Sequence, residues 1–249
     1  MKPFKKIKIN LPLGGQKKIK NQLAVIIFGP PGSGKGTQAD LLSDKLSLYY
    51  LETSKLIEAE VMRAKPGNYI ETAGKKYFLT EERKLWETGI LCSPPFVSFL
   101  VKKKIRELAK WRMGILMAGS PRTIPEGKDQ IPLLKKLYGE KNIKVILIEI
   151  SPEQTIWRNS HRRICSLMRH PIIYSKETIG LTSCPLDGSP LVRREGLDDV
   201  DTIKTRLVEY KERTVPLVKY FAQQNLRLKK INGEQPVGDV FKDILKALK

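Results

Sequence analysis

Apolar residues gather in five short runs, at residues 23–28, 48–51, 115–118, 144–150 and 226–231. Each is strand-sized and nearly unbroken, as parallel strands buried on both faces are. Between the runs the apolar spacing changes to three and four. Residues 38–46 put Ala39, Leu42 and Leu46 on one helical face. Residues 96–109 do the same with Val97, Leu100, Val101, Ile105 and Leu108, and residues 202–221 with Ile203, Leu207, Tyr210 and Leu217. Strands alternating with helices predict an α/β fold, with a five-stranded parallel sheet covered on both faces. Two stretches break the alternation. Residues 60–85 are polar and carry the turn signal Pro66-Gly67-Asn68. Residues 161–200 hold both histidines and two of the three cysteines among prolines, glycines and arginines, and cannot supply a long helix. Both predict lobes inserted at the rim of the sheet.

The first apolar run leads into Gly29-Pro30-Pro31-Gly32-Ser33-Gly34-Lys35-Gly36-Thr37 and then a helical pattern. Strand, glycine-rich loop and helix in that order make a phosphate-binding loop. Glycines let successive N–H groups turn inward on phosphate oxygens, and the helix N-terminus adds partial positive charge. Lys35 reaches the β- and γ-phosphates, and the Thr37 hydroxyl lies near the metal that travels with them. The general motif has Ser or Thr directly after the lysine. Here Gly36 intervenes.

Composition narrows the setting. Apolar residues are 41% of 249, enough for a core, so a disordered chain is excluded. No apolar run approaches the roughly 20 residues that span a bilayer, and none follows the first lysines as a secretory signal would. Three cysteines, Cys92, Cys165 and Cys184, are too few for a disulfide scaffold, and the expected setting is a reducing cytoplasm. Lys+Arg 46 against Asp+Glu 26 gives a net charge of +20, which calls for anionic partners. Seven lysines and no acid lie in residues 1–20, read as a mobile basic tail, solvated before it is a nucleic-acid contact.

The form Gly-x-Pro-Gly-x-Gly-Lys-Gly-Thr resembles the nucleoside monophosphate kinases, adenylate kinases in particular. The resemblance extends over nearly everything after the tail. The stretch Trp86-Glu87-Thr88-Gly89-Ile90-Leu91-Cys92-Ser93-Pro94 is similar to the family segment whose backbone lines the monophosphate base. Gly119-Ser120-Pro121-Arg122-Thr123 is similar to the segment ending the central strand. Arg158 and Arg162 resemble the two lid arginines, and Arg194 and Arg206 a further pair on the transferring phosphate. Arg206-Leu207-x-x-Tyr210-x-x-x-Thr214-x-Pro216-Leu217 matches the helix that returns from the lid.

The resemblance implies a P-loop core at residues 21–52, 110–157 and 207–249, a monophosphate-binding lobe at 53–109 and a lid at 158–206. It implies transfer of phosphate from ATP to a monophosphate, AMP by default, with magnesium, by a monomer with no membrane partner. Lys35, Arg122, Arg162, Arg194 and Arg206 are then catalytic. Gly29, Gly32, Ser33, Gly34, Lys35, Gly36, Thr37, Arg158, Arg162 and Gln235 bind ATP. Thr53, Ile90, Leu91, Cys92, Gly119, Arg122, Glu126, Arg194 and Arg206 bind the acceptor. Such chemistry rests on positioning and on neutralising charge, which a set of cations supplies.

Departures from the family pattern fall mainly on the acceptor side. Ala118 replaces an aspartate that helps hold magnesium, for which Asp198 and Asp199 are candidate substitutes. Lys55 replaces an aspartate, Glu58 the arginine that grips the acceptor's phosphate, and Glu126 a glutamine that reads adenine. Glutamate cannot donate to adenine N1, so relaxed base choice is expected. In the lid the family's zinc pairs become Cys165-Ser166-Leu167-Met168 and Cys184-Pro185-Leu186-Asp187. Met168 is a poor zinc ligand, so the expected set is Cys165, His170, Cys184 and Asp187. The competing functions are a nucleotide-binding protein on this scaffold with weak catalysis, and a basic nucleic-acid-binding protein with an incidental nucleotide site.

Overall fold

A computed structural model describes residues 23–194 and 198–249. The basic tail expected at residues 1–20 lies outside them. In chain order the elements are β1 (Ala24–Phe28), α1 (Lys35–Leu46), β2 (Tyr49–Glu52), α2 (Thr53–Val61), β3 (Tyr69–Thr72), β4 (Lys75–Phe78), α3 (Leu79–Glu87), α4 (Pro94–Lys110), β5 (Ile115–Ala118) and α5 (Ile124–Tyr138). They continue with β6 (Ile143–Glu149), α6 (Pro152–Ser160), β7 (Arg163–Cys165), β8 (Pro171–Ile172), β9 (Leu191–Val192), α7 (Val200–Glu209), α8 (Leu217–Gln223), β10 (Leu228–Asn232) and α9 (Val237–Leu248).

The five predicted core strands form one parallel sheet in the order β10-β6-β1-β5-β2. β1 is central and buried along its whole length, which is why its residues are apolar without alternation. Phe96, Val101, Ile105, Leu134 and Phe221 from α4, α5 and α8 cover one face of the sheet. Ala39, Leu42, Val240 and Ile244 from α1 and α9 cover the other. Parallel strands share one direction, so their carboxyl ends form a common rim where ligands of such sheets bind. The loop after β1 and residues 119–122 after β5 both lie there.

The two stretches that broke the alternation form small antiparallel sheets. β3 and β4 make a hairpin, Tyr69 opposite Phe78 and Thr72 opposite Lys75. Its turn is Ala73-Gly74, both at positive φ, as two-residue hairpin loops demand. β7, β8 and β9 make a three-stranded sheet in the order β8-β7-β9.

The helix expected over 202–221 is not continuous. α7 ends at Glu209, a π-helical turn spans Tyr210–Thr214, and α8 starts at Leu217. Pro216 has no N–H to continue the ladder, and the preceding turn widens so that the Val215 amide donates to the Tyr210 carbonyl at 2.9 Å. Among the described residues no helix is long and apolar enough to cross a membrane.

Candidate active site

The loop between β1 and α1 is shaped by close approaches that exclude side chains. Gly32 has φ +80, and a Cβ there would lie 2.5 Å from the Asn159 amide nitrogen. A Cβ on Gly29 would lie 2.3 Å from the Ile148 carbonyl oxygen. Gly34, left-handed at φ 89, caps α1 without a side-chain bond, and the first turn of α1 carries no acid. The helix N-terminus therefore keeps its partial positive charge for an external anion. Lys35 folds back across the loop, its Nζ donating to the carbonyls of Gly29 at 2.9 Å and Pro30 at 2.8 Å and to Ser33 Oγ at 3.4 Å.

Arginines from three other segments act on this lysine, and Arg194 acts on two of them. Burial first, then the charges of Arg122, Arg206 and Arg162, hold the Lys35 ammonium well below its usual range. Burial and then Arg194, Arg122 and Arg162 do the same to Arg206. Burial and Arg194 depress Arg162, with Asp198 opposing. Asp198 is 7% exposed, accepts from Arg194 Nε at 3.0 Å and lies 3.7 Å from Arg162 Nη1. That carboxylate, one of the two candidate substitutes for the acid missing at Ala118, is paired with two guanidiniums. Burial and mutual repulsion both disfavour these charges, and a polyphosphate is the kind of ligand that offsets them. Nearby, Arg158 donates to the Gly233 carbonyl at 2.9 Å, and Gln235 donates to the Asn232 carbonyl at 3.0 Å and to Asp243 at 2.9 Å. The two side chains thus meet the same loop after β10.

On the other side of the rim Thr53 opens α2. It is 2% exposed, and its hydroxyl has no hydrogen-bond partner among the described residues. An orphaned buried hydroxyl invites an external acceptor or donor. Gly119, at φ +97, lets the Arg122 guanidinium approach, with Nη2 at 2.9 Å from where a Cβ would sit. Cys92 is buried, and desolvation pushes its thiol up to about 12. Ile90 is 40% exposed, and the Leu91 amide donates to Glu209 at 3.3 Å.

Glu126, expected to face the acceptor's base, is held in a hydrogen-bonded cap on α5. Thr123 caps α5, accepting from the Glu126 amide at 3.3 Å, and the Glu126 carboxylate reaches back to accept from Thr123 Oγ1 at 3.2 Å. The same carboxylate accepts from Ser120 Oγ at 3.0 Å and from the Arg122 amide at 2.9 Å. Both oxygens are engaged in this buried capping arrangement.

In the lid Cys165 Sγ, His170 and Cys184 Sγ place one ligand atom each within 4.8 Å of one another. Cys184 Sγ is 3.5 Å from His170 Nε2. Asp187, the fourth expected ligand, accepts from Cys165 Sγ at 3.1 Å, but its other oxygen is taken by Ser189 Oγ at 2.6 Å. All three cysteines are free thiols.

Comparison with known proteins decides the family. The adenylate kinase profile matches residues 27–226. The chain belongs to the adenylate kinase family. It is 32% identical over 231 residues to the adenylate kinase of Clostridium acetobutylicum, covering 91% of this chain and 99% of that protein. It is 31% identical over 229 residues to that of Caldicellulosiruptor saccharolyticus, again covering 91% and 99%. To that of Chlamydia trachomatis serovar L2 it is 30% identical over 230 residues, covering 92% and 91%.

Within this adenylate kinase family site, three features escaped the sequence reading. Gln130, fully buried, donates to Ser120 Oγ at 2.8 Å and completes the Glu126 network. Asn159 packs on the phosphate loop. Glu58 meets the lid residue Arg169. Only the network that Gln130 joins had a local signal, because Thr123-x-x-Glu126 is a capping-box spacing. The other two depend on contacts that no local pattern encodes.

Proposed function

We propose that the chain transfers the γ-phosphoryl group of ATP to AMP, giving two ADP. The observation that carries this is the convergence of Lys35, Arg122, Arg162, Arg194 and Arg206 on the mouth of the phosphate loop. In the transfer, the bond from the γ-phosphorus to the β–γ bridging oxygen breaks and a bond to a phosphate oxygen of AMP forms. Negative charge shifts onto the leaving ADP and the equatorial oxygens, and fixed cations stabilise it.

In this reading Gly29, Gly32, Ser33, Gly34, Gly36 and Thr37 cradle the donor phosphates, Lys35 bridges β and γ, and Arg158 and Gln235 flank the donor's base. Thr53 and Arg122 take the acceptor's phosphate, while Gly119 and the backbone of Ile90, Leu91 and Cys92 line its base. Magnesium enters with ATP, and Thr37 is the hydroxyl placed for it. Residues 53–109 serve as the acceptor lobe and 158–206 as the lid. Cys165, His170, Cys184 and, after release from Ser189, Asp187 suit a structural zinc, which would staple the lid. The reading takes the chain to act as a monomer in the cytoplasm, and three cysteines, too few for a disulfide scaffold, accord with a reducing compartment.

A coupled ADP assay tests the reading. ADP formation is expected only when ATP and AMP are both present, and ADP formed at equal rate without AMP would defeat it. The same assay carries a pH prediction. Lys35 is depressed in the folded protein, so the empty site loses this positive charge earlier on alkalinisation than an ordinary lysine does. Polyphosphate favours the cation, so binding takes up a proton and weakens as pH rises. KM for ATP is expected to climb on alkalinisation at a lower pH than an ordinary lysine would give, and a flat profile below the usual lysine range would count against a depressed Lys35.

Glu126 now carries a stability prediction rather than a specificity one. Glu126→Gln points an amide donor at one of three donors, Ser120, Arg122 or Thr123. A loss of about 1–2 kcal/mol of stability is expected, with the ratio of AMP to GMP use unchanged. A changed ratio at unchanged thermal midpoint would return Glu126 to the base pocket.

A further inference from the structure

An ion pair crosses the cleft between the acceptor lobe and the lid. Arg169 Nη1 lies 3.4 Å from Glu58 Oε1, 111 residues away in sequence. Neither residue belongs to the phosphate-binding set.

Both ends of the pair are prepared locally. On the lid side Arg169 sits at φ 57, in the left-handed region that residues other than glycine adopt uncommonly. Two bonds hold it there. The Arg169 amide donates to the Cys165 carbonyl at 2.9 Å, and the Cys165 amide donates to the His170 carbonyl at 3.0 Å. The tight turn leaves the arginine side chain 60% exposed and reaching out of the lid. On the facing lobe α2 buries Thr53, Ile57 and Val61, leaving Glu58 on the flank. Lys55 lies one turn before Glu58 but is drawn the other way, to Glu52 at 2.7 Å. Glu58 therefore keeps its carboxylate for the lid. It stands five residues after Thr53, about 7.5 Å along the helix from the orphaned hydroxyl.

We propose that Arg169 is a positioning residue for phosphoryl transfer, pairing with Glu58 to latch the lid onto the acceptor lobe. The proposal rests on the phosphoryl-transfer reading above and names how closure is set in this chain. The pair can form only when the lobes meet over the cleft, so it weights the closed form, in which water is excluded and the acceptor is held. Product release requires the pair to break. An exposed pair at this distance shifts such an equilibrium modestly, by about two- to five-fold.

Charge exchange tests it. Glu58→Gln and Arg169→Gln are each expected to raise KM for AMP about two- to five-fold, with kcat unchanged or higher. In hydrogen–deuterium exchange of the ligand-free chain, both should speed amide exchange in residues 165–170 and in α2. The double variant Glu58→Arg with Arg169→Glu is expected to restore both readouts, and the differences should fade at about 0.5 M salt. Glu58→Arg alone should be worse than Glu58→Gln, because two guanidiniums then face each other. The latch is overturned if Glu58→Arg alone lowers KM for AMP, since position 58 would then meet the phosphate itself. It is equally overturned if the exchanged pair fails to restore either readout, or if all variants match the parent. A parent chain that makes no ADP from ATP and AMP defeats the phosphoryl-transfer reading instead, and the exchange comparison still decides whether the pair closes the cleft.

Discussion

Lys35→Ala is expected to lower kcat by at least about 100-fold while leaving thermal stability unchanged or slightly raised. The two effects have one cause. Lys35 is a partly buried cation among Arg122, Arg162 and Arg206, and burial with their repulsion already disfavours its charged form. Removing it relieves that repulsion, and water can solvate the carbonyls of Gly29 and Pro30 that it now holds. What is lost appears only when negative charge moves between the γ-phosphoryl oxygens and the leaving ADP, where a fixed donor is worth most. Arg122, Arg162, Arg194 and Arg206 should each give a loss of similar kind. The losses should not multiply, because the cations act as a unit. Combining Lys35→Ala with Arg206→Ala is expected to cost well below the product of the single effects. The measurement is kcat at saturating ATP and AMP, with thermal midpoints recorded alongside. Near-normal turnover in Lys35→Ala would remove the cationic site from the mechanism.

How much of this was legible in the sequence depended on whether a residue's role is local. The five core strands were readable because a strand buried on both faces must be apolar at every position, as β1 is. The phosphate loop was readable because its glycines answer to backbone geometry, seen at Gly32 and Gly34. The β3–β4 hairpin was not, because it is a small sheet with no buried residue on either face, and its lysines and tyrosines give no alternation of apolar and polar. The α7–α8 pattern kept helical spacing across Pro216, so periodicity alone joined what the proline separates. Glu126 shows a different limit. Its position in the family pattern suggested a base contact, and its part in a cap with Thr123 appears only in the structure. The Glu58–Arg169 pair lay beyond sequence reasoning, since a contact across 111 residues exists only once two lobes are folded against each other.

Purified, metal-replete protein is expected to carry about one zinc per chain in the lid, and chelation is expected to lower the thermal midpoint by at least about 5 °C. The lid needs an added constraint. Strands β8 and β9 have two residues each, and Leu167, Met168, Ile173, Ile179 and Leu186 are all more than half exposed, Leu186 at 80%. Units with so little buried apolar surface are normally held by a metal or a disulfide. Cys165 and Cys184 are buried free thiols, and His170 brings a ring nitrogen to the same point. The Met168 amide donates to Cys165 Sγ at 3.1 Å and the Leu186 amide to Cys184 Sγ at 3.4 Å. Outer donors of this kind stabilise sulfur ligands and orient them. Met168 itself is 67% exposed and takes no place in the cluster, which accords with the chemistry of zinc. Cys165→Ser and His170→Ala should each abolish stoichiometric zinc and reproduce the chelation shift. Asp187→Asn separates three protein ligands from four, since it should weaken zinc retention only if Asp187 leaves Ser189 to join the ion. Less than about 0.2 zinc per chain, together with a thermal midpoint that neither chelator nor Cys165→Ser alters, would show that two buried thiols and a histidine hold the lid without metal.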